Sequence, residues 1–108
     1  MAASLGELEQ LVLLALLHLG ESAYGITVRD EIAERAAQDV PLGSIYNALG
    51  RLEAKGLVRA WMGDPTPERG GRRKRHYRVL PQGRRALARS LTAIRRLTAG
   101  LHAVLRLP

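Results

Sequence analysis

Six cations fall within ten residues at Arg69, Arg72, Arg73, Lys74, Arg75 and Arg78, and Gly70 and Gly71 lie inside the run. Like charges this dense repel one another in the free protein, so contact with a polyanion is the chemistry they fit. A second set, Ser44, Asn47 and Arg51, recurs at i, i+3 and i+7, with Tyr46 and Gly50 beside it. Ser, Asn and Arg carry the donors and acceptors that reach base edges, and Tyr donates to phosphate. Leu42-Gly43-Ser44 would open a helix there and offer backbone N–H groups to an anion. The plainer alternatives are a solvated charge run for the first set and an ordinary wet helix face for the second. His18, His76 and His102 have no ligand-pair spacing, Cys is absent, and no metal or cofactor is expected. No nucleophile–base arrangement and no Gly-rich phosphate loop stands out, so no enzyme is expected. Trp61, on a strand-like segment, reads as core or wing support rather than as a ligand stacker.

The charge balance sharpens the first set. The chain has 17 Lys+Arg against 10 Asp+Glu, net +7. Residues 1–58 hold four cations against eight acids, whereas residues 59–108 hold thirteen against only Asp64 and Glu68. A basic half joined to an acidic half marks a face for a polyanion, with nucleic acid, an acidic protein or an anionic membrane surface as its candidates. At 108 residues with 46% hydrophobic content, the chain suffices for one domain and is too short for two. The longest apolar run, Leu11–Leu17, is well short of the roughly 20 residues of a membrane span. Met1-Ala2-Ala3-Ser4 lacks the basic start of a secretory signal. A cytoplasmic protein without a membrane partner is expected.

The elements that would position these residues follow from periodicity. Ser4 with Glu7 three residues on forms a capping-box pattern opening a first helix. Leu5, Leu8, Leu11, Val12, Ala15, Leu16 and Leu19 line one face of it, and Leu13, Leu14 and Leu17 widen that face. So broad an apolar surface needs cover on more than one side, part of it from a second subunit. A second helix runs from Ser22 or Ala23 to about Gln38. A third has Pro41 in its first turn and ends at Lys55-Gly56, with Ile45, Ala48, Leu49 and Leu52 inward. Leu57–Met62 and Lys74–Leu80 read as strands, the latter with Tyr77 and Val79 on one side and His76 and Arg78 on the other. A long Pro- and Gly-rich hairpin loop, Gly63–Gly71, joins them. Pro81 opens a last helix to about Leu107, with Leu87, Leu91, Ile94, Leu101 and Leu105 in a heptad-like seam. The expected fold is mainly α with a small β-hairpin. It comprises a winged helix-turn-helix over residues 1–80 and a long C-terminal dimerisation helix over 81–108, in one compact domain. The third helix would enter a major groove.

Tyr24-Gly25-Ile26, the block from Leu42 through Tyr46 and Leu52-Glu53 to Gly56-Leu57-Val58, the basic Gly70–Val79 segment and Pro81-Gln82-Gly83-Arg84-Arg85 together resemble the PadR family of bacterial transcriptional regulators. The resemblance spans roughly residues 5–90. Leu80 departs from the family's usual Thr before the last helix, and Leu42 from its small polar residue before the Gly. The resemblance implies a homodimeric, ligand-responsive repressor on a palindromic operator in double-stranded DNA. Ser44, Tyr46, Asn47 and Arg51 would face the major groove or its phosphates. Arg72, Arg73, Lys74 and Arg75 would grip the backbone or minor groove, and Tyr24 would add a phosphate contact. In compact members the single C-terminal helix pairs with the partner's helices, including the first, so Leu5, Leu8, Val12, Leu87, Leu91, Ile94, Leu101 and Leu105 are the expected dimerisation residues. Some members hold aromatic drugs between subunits against an aromatic residue of the last helix. Residues 81–108 contain no Phe, Tyr or Trp, so the resemblance leaves the effector's chemistry unidentified. The competing reading is a winged-helix module that uses the same surface on an acidic protein, without operator recognition.

Overall fold

The computed structural model describes residues 5–64 and 73–108. Helix α1 spans Glu7–Leu19 and a 3₁₀ turn follows at Gly20–Ser22. Helices α2 (Gly25–Ala36) and α3 (Leu42–Ala54), strands β1 (Val58–Met62) and β2 (Arg75–Val79), helix α4 (Pro81–Thr98) and the short α5 (His102–Leu105) complete the chain. The strands pair antiparallel, with Val58 opposite Val79, Ala60 opposite Tyr77 and Trp61 opposite His76. A third strip of chain joins them, because Tyr77 N–H donates to the Ala23 carbonyl at 3.0 Å and Tyr24 bridges His76. The winged helix-turn-helix expected from periodicity is therefore the observed fold.

One core unites these elements. Val12, Leu13 and Leu16 of α1 meet Val28 and Ile32 of α2 and the inward row Ile45, Ala48, Leu49, Leu52 of α3. Tyr77 and Val79 close it from the hairpin, and Ala86 and Leu87 from the first turns of α4. The alternation read along β2 is the observed one: Tyr77 and Val79 buried, Arg78 exposed. α3 stops where Lys55-Gly56 predicts, with Leu57 N–H closing back onto the Leu52 carbonyl at 3.0 Å.

Three expectations need correction. The described α1 is capped at Gly6, whose N–H donates to Glu9 Oε1 at 2.9 Å, rather than at Ser4 by Glu7; Ser4 itself lies outside the described residues. Lys55, at the C-cap of α3, binds the other Glu9 oxygen at 2.6 Å, so a tertiary contact places the Glu9 carboxylate where it can also cap the helix. The last helix is not continuous. α4 ends at Thr98, Thr98 Oγ1 donates to the Arg95 carbonyl, and Gly100 takes φ 81, a conformation that ends helices. Leu101 and Leu105 therefore leave the axis that carries Leu87, Leu91 and Ile94, and the seam over almost three heptads is broken. Finally, Val12 (0% exposed) and Leu87 (3%) lie in the chain's own core and present nothing to a second subunit, while Leu5 and Leu8 are half-buried against that core.

The outer half of α4 and all of α5 leave the body. Leu91, Ile94, Leu97, Leu101, Val104 and Leu105 are exposed, and the radius of gyration of 15.4 Å exceeds the ~13 Å of a compact domain this long. Among the described residues, no helix is long and apolar enough to cross a membrane.

Candidate nucleic-acid interface

The outward side of α3 is built by subtraction. Its inward row is fully buried, which turns Asn47, Gly50 and Arg51 into solvent and leaves Tyr46 45% exposed. Ser44 lies at the edge of this face, half-buried beside Leu8, Leu11 and Val40. Tyr46 is seated by its neighbour across the helix-turn-helix. A Cβ on Gly25 would stand 2.5 Å from both Cζ and Oη of Tyr46, so the ring lies across the first turn of α2 only because residue 25 has no side chain. That turn is capped by Thr27 Oγ1, which accepts the Tyr24 N–H at 3.0 Å.

The wing residues do not all stand free. Lys74 Nζ donates to Tyr24 Oη at 3.2 Å and lies 4.5 Å from the centre of its ring, a cation–π contact that ties the base of the loop to the start of α2. Arg75 Nη2 reaches Glu53 Oε2 at 3.0 Å and Oε1 at 3.3 Å, while Arg75 Nε donates to Tyr77 Oη at 3.2 Å. The Tyr77 and Glu53 contacts push the Arg75 guanidinium above its already high range. Arg75 thus braces β2 against the C-terminal end of α3. Arg73 is exposed and forms no ion pair among the described residues. Arg72, like Arg69 and the loop 65–71, lies outside the described residues.

Sequence reasoning missed what joins these pieces. On the sheet face opposite the core, His76 stacks on Trp61 (centroids 5.2 Å, planes at 28°) and meets Tyr24 edge-on at 5.4 Å. Arg78 lies 5.4 Å over Trp61. His76 Nδ1 is 2.9 Å from the Glu21 carbonyl, which can only accept, so that nitrogen carries the proton. Trp61 does support the wing, as expected, but the alternation read along β2 does not by itself set the register that places it opposite His76. Nothing in sequence spacing links Glu53 to Arg75 or Glu9 to Lys55. Burial raises the Glu9 carboxyl, but hydrogen bonds from Lys55 and the Gly6 N–H, with the charges of Lys55 and Arg51, outweigh it and hold the group below the usual carboxylate range.

Tyr24 thus contacts Lys74, Gly25 of the same turn seats Tyr46, and Glu53 holds Arg75, so the wing base, the start of α2 and the outer side of α3 form one contiguous surface. Its described residues supply donors and cations. Among the described residues, no group of three His, Asp or Glu could hold a metal ion.

Comparison with known proteins agrees with this architecture. Among curated proteins, no sequence matches the chain. A PadR family transcription regulator from hypervirulent Clostridium difficile R20291 superposes with a TM-score of 0.75 at 22% identity, over 93% of this chain and 99% of that one. A transcriptional regulator from Clostridium thermocellum gives 0.73 at 19% identity, over 89% and 87%. A PadR family transcriptional regulator from Eggerthella lenta DSM 2243 gives 0.69 at 25% identity, over 92% and 84%. The profile of the transcriptional regulator PadR-like family matches residues 13–89, which takes in α2, α3, the hairpin and the first half of α4. With the winged helix, the basic wing and this match in agreement, the chain belongs to the PadR-like family of transcriptional regulators, a non-enzymatic, DNA-binding family.

Proposed function

We propose that the chain acts as a homodimeric repressor on a palindromic operator and releases it in response to a small-molecule effector. The observation that carries the DNA side is the contiguity of the α3 outer face with the wing base. The hairpin is tied to α3 by Arg75–Glu53 and to the start of α2 by Lys74–Tyr24, so that α3 and the hairpin meet a duplex together, one in the major groove and the other along its flank. In this reading Asn47 and Arg51 reach base edges. Tyr46 and Ser44 flank them toward phosphate, Arg72, Arg73 and Lys74 hold the backbone, and Tyr24 joins them through Lys74. Arg75 contributes mainly by holding the wing at its angle to α3.

Residues 1–80 form the DNA-reading part of this assembly and 81–108 the dimerising part. The exposed Leu91, Ile94 and Leu97 on α4 and the exposed leucines of the α5 region support a second copy as the cover for that surface. Two copies place two α3 helices on one face of the duplex, which calls for inverted half-sites about one helical turn apart.

The test is a pair of variants measured against operator and random duplex across a salt series, with the operator found by selection from random DNA. Arg51→Ala should lower operator affinity by about 1–3 kcal/mol and leave random-duplex binding nearly unchanged. Neutralising Arg73 and Lys74 together should weaken binding to both duplexes and reduce the salt slope by about one unit per lost phosphate contact. Equal effects of both variants on both duplexes would refute this division, and no binding to any duplex at low salt would refute the proposal.

A further inference from the structure

We propose a binding site for an aliphatic carboxylate in the cleft between the end of α1, the hairpin and the start of α4. The cleft has a volume of about 320 Å³, at the lower end of the ~300–1,000 Å³ range of small-molecule sites. Its floor is aliphatic, made of the core residues Leu16 and Val79 and of Leu17, which remains 45% exposed. Its walls carry two guanidiniums, Arg78 from β2 and Arg84 from α4, beside Trp61. Among the described residues neither arginine forms an ion pair, and Glu21 at the rim is the one acid lining the cleft.

Two forked cations lining the same cleft as aliphatic side chains match an amphipathic anion. A guanidinium binds a carboxylate through paired N–H donors, and the hydrocarbon covers Leu17. A bare phosphate would leave that floor wet. The floor also selects among organic acids. Trp61 already stacks on His76 and lies under Arg78, so its ring has little to offer an aromatic ligand, whereas Leu16, Leu17 and Val79 accept a saturated chain.

The site reaches the DNA-facing surface through contacts already described. Arg78 covers Trp61, Trp61 stacks on His76, His76 meets Tyr24, and Tyr24 binds Lys74 of the wing. A carboxylate that draws Arg78 off Trp61 loosens the outer end of this row. Occupancy should therefore lower DNA affinity, a consequence that rests on the DNA-binding reading; the binding site itself does not.

Trp61 is the sole tryptophan of the chain, so its fluorescence reports on this cleft and on the His76 and Arg78 contacts that adjoin it. The experiment titrates the full chain, without DNA, with octanoate, octanamide, phenylacetate and inorganic phosphate, and repeats the octanoate series on Leu17→Glu and on Arg78→Gln/Arg84→Gln. Each substituted side chain faces solvent, and circular dichroism verifies folding. A saturable response to octanoate is expected, weakened about ten- to hundred-fold in the arginine variant and also weakened in Leu17→Glu. No saturable response, an equal response to octanamide, tighter binding of phenylacetate, or equal binding of phosphate would each overturn the site. In a second arm, octanoate should weaken operator binding of the parent chain and not of the arginine variant. Binding without that effect would overturn the effector role. Failure to bind DNA at all would show in the protein without octanoate, and so would be told apart from failure of the cleft.

Discussion

Gly25→Ala probes how α2 and α3 cross. The added methyl would lie 2.5 Å from Cζ and Oη of Tyr46 and 2.7 Å from Cε1. Carbon atoms in ordinary contact sit ~3.5–4.0 Å apart, so the ring must retreat by about 1 Å. Tyr46 is 45% exposed and can do so by turning toward solvent, at a cost in rotamer strain and lost packing of about 1–2 kcal/mol. Gly25 does not use a left-handed backbone, so no backbone strain adds to this. Alanine in a helical turn recovers up to about 0.5–1 kcal/mol relative to glycine. The net loss should be about 1 kcal/mol. In a Tyr46→Ala background no ring is met, and the same change should be neutral or slightly stabilising. Urea denaturation of the four proteins in a double-mutant cycle should give a coupling of about 1–2 kcal/mol between residues 25 and 46. Additivity within about 0.5 kcal/mol would show that Gly25 does not seat the ring, and the account of how Tyr46 is positioned would fail.

Two further outcomes follow from other parts of the structure. Glu9 has a folded-state carboxyl held below its ordinary value, so the stability it contributes is present above the unfolded value of ~4.3 and is lost as pH falls through the lower folded one. Glu9→Gln should cost about 1 kcal/mol near neutral pH, given the part-exposed Lys55 side chain, and should flatten the acid limb of urea midpoints measured down to about pH 3; an unchanged acid limb would contradict the Lys55–Glu9 link. Ile94→Glu with Leu97→Glu should convert a dimer to a monomer in sedimentation while leaving helicity unchanged, because both side chains are already outside the chain's own core; a mass that stays dimeric would remove α4 from the interface.

Much of the architecture was legible in the chain because it rests on local rules. The inward row of α3 follows from a period of 3.6, the alternation of β2 from a period of two, and the helix stop at Lys55-Gly56 and helix start at Pro81 from backbone chemistry. The concentration of positive charge after residue 58 was likewise available without coordinates. What depended on the three-dimensional fold is of another kind. Val12 and Leu87 satisfied every pattern of an interface, yet hydrophobic spacing says only that a side chain is buried, and here the chain's own helices bury them. The same spacing ran through Gly100, where a left-handed backbone divides Leu101 and Leu105 from the α4 seam. Arg75 and Lys74 looked like equivalent members of one basic run. Folding assigned one to Glu53 and the other to Tyr24, partners 22 and 50 positions away in sequence, because charge and aromatic contacts act through space and leave no periodic trace along a chain.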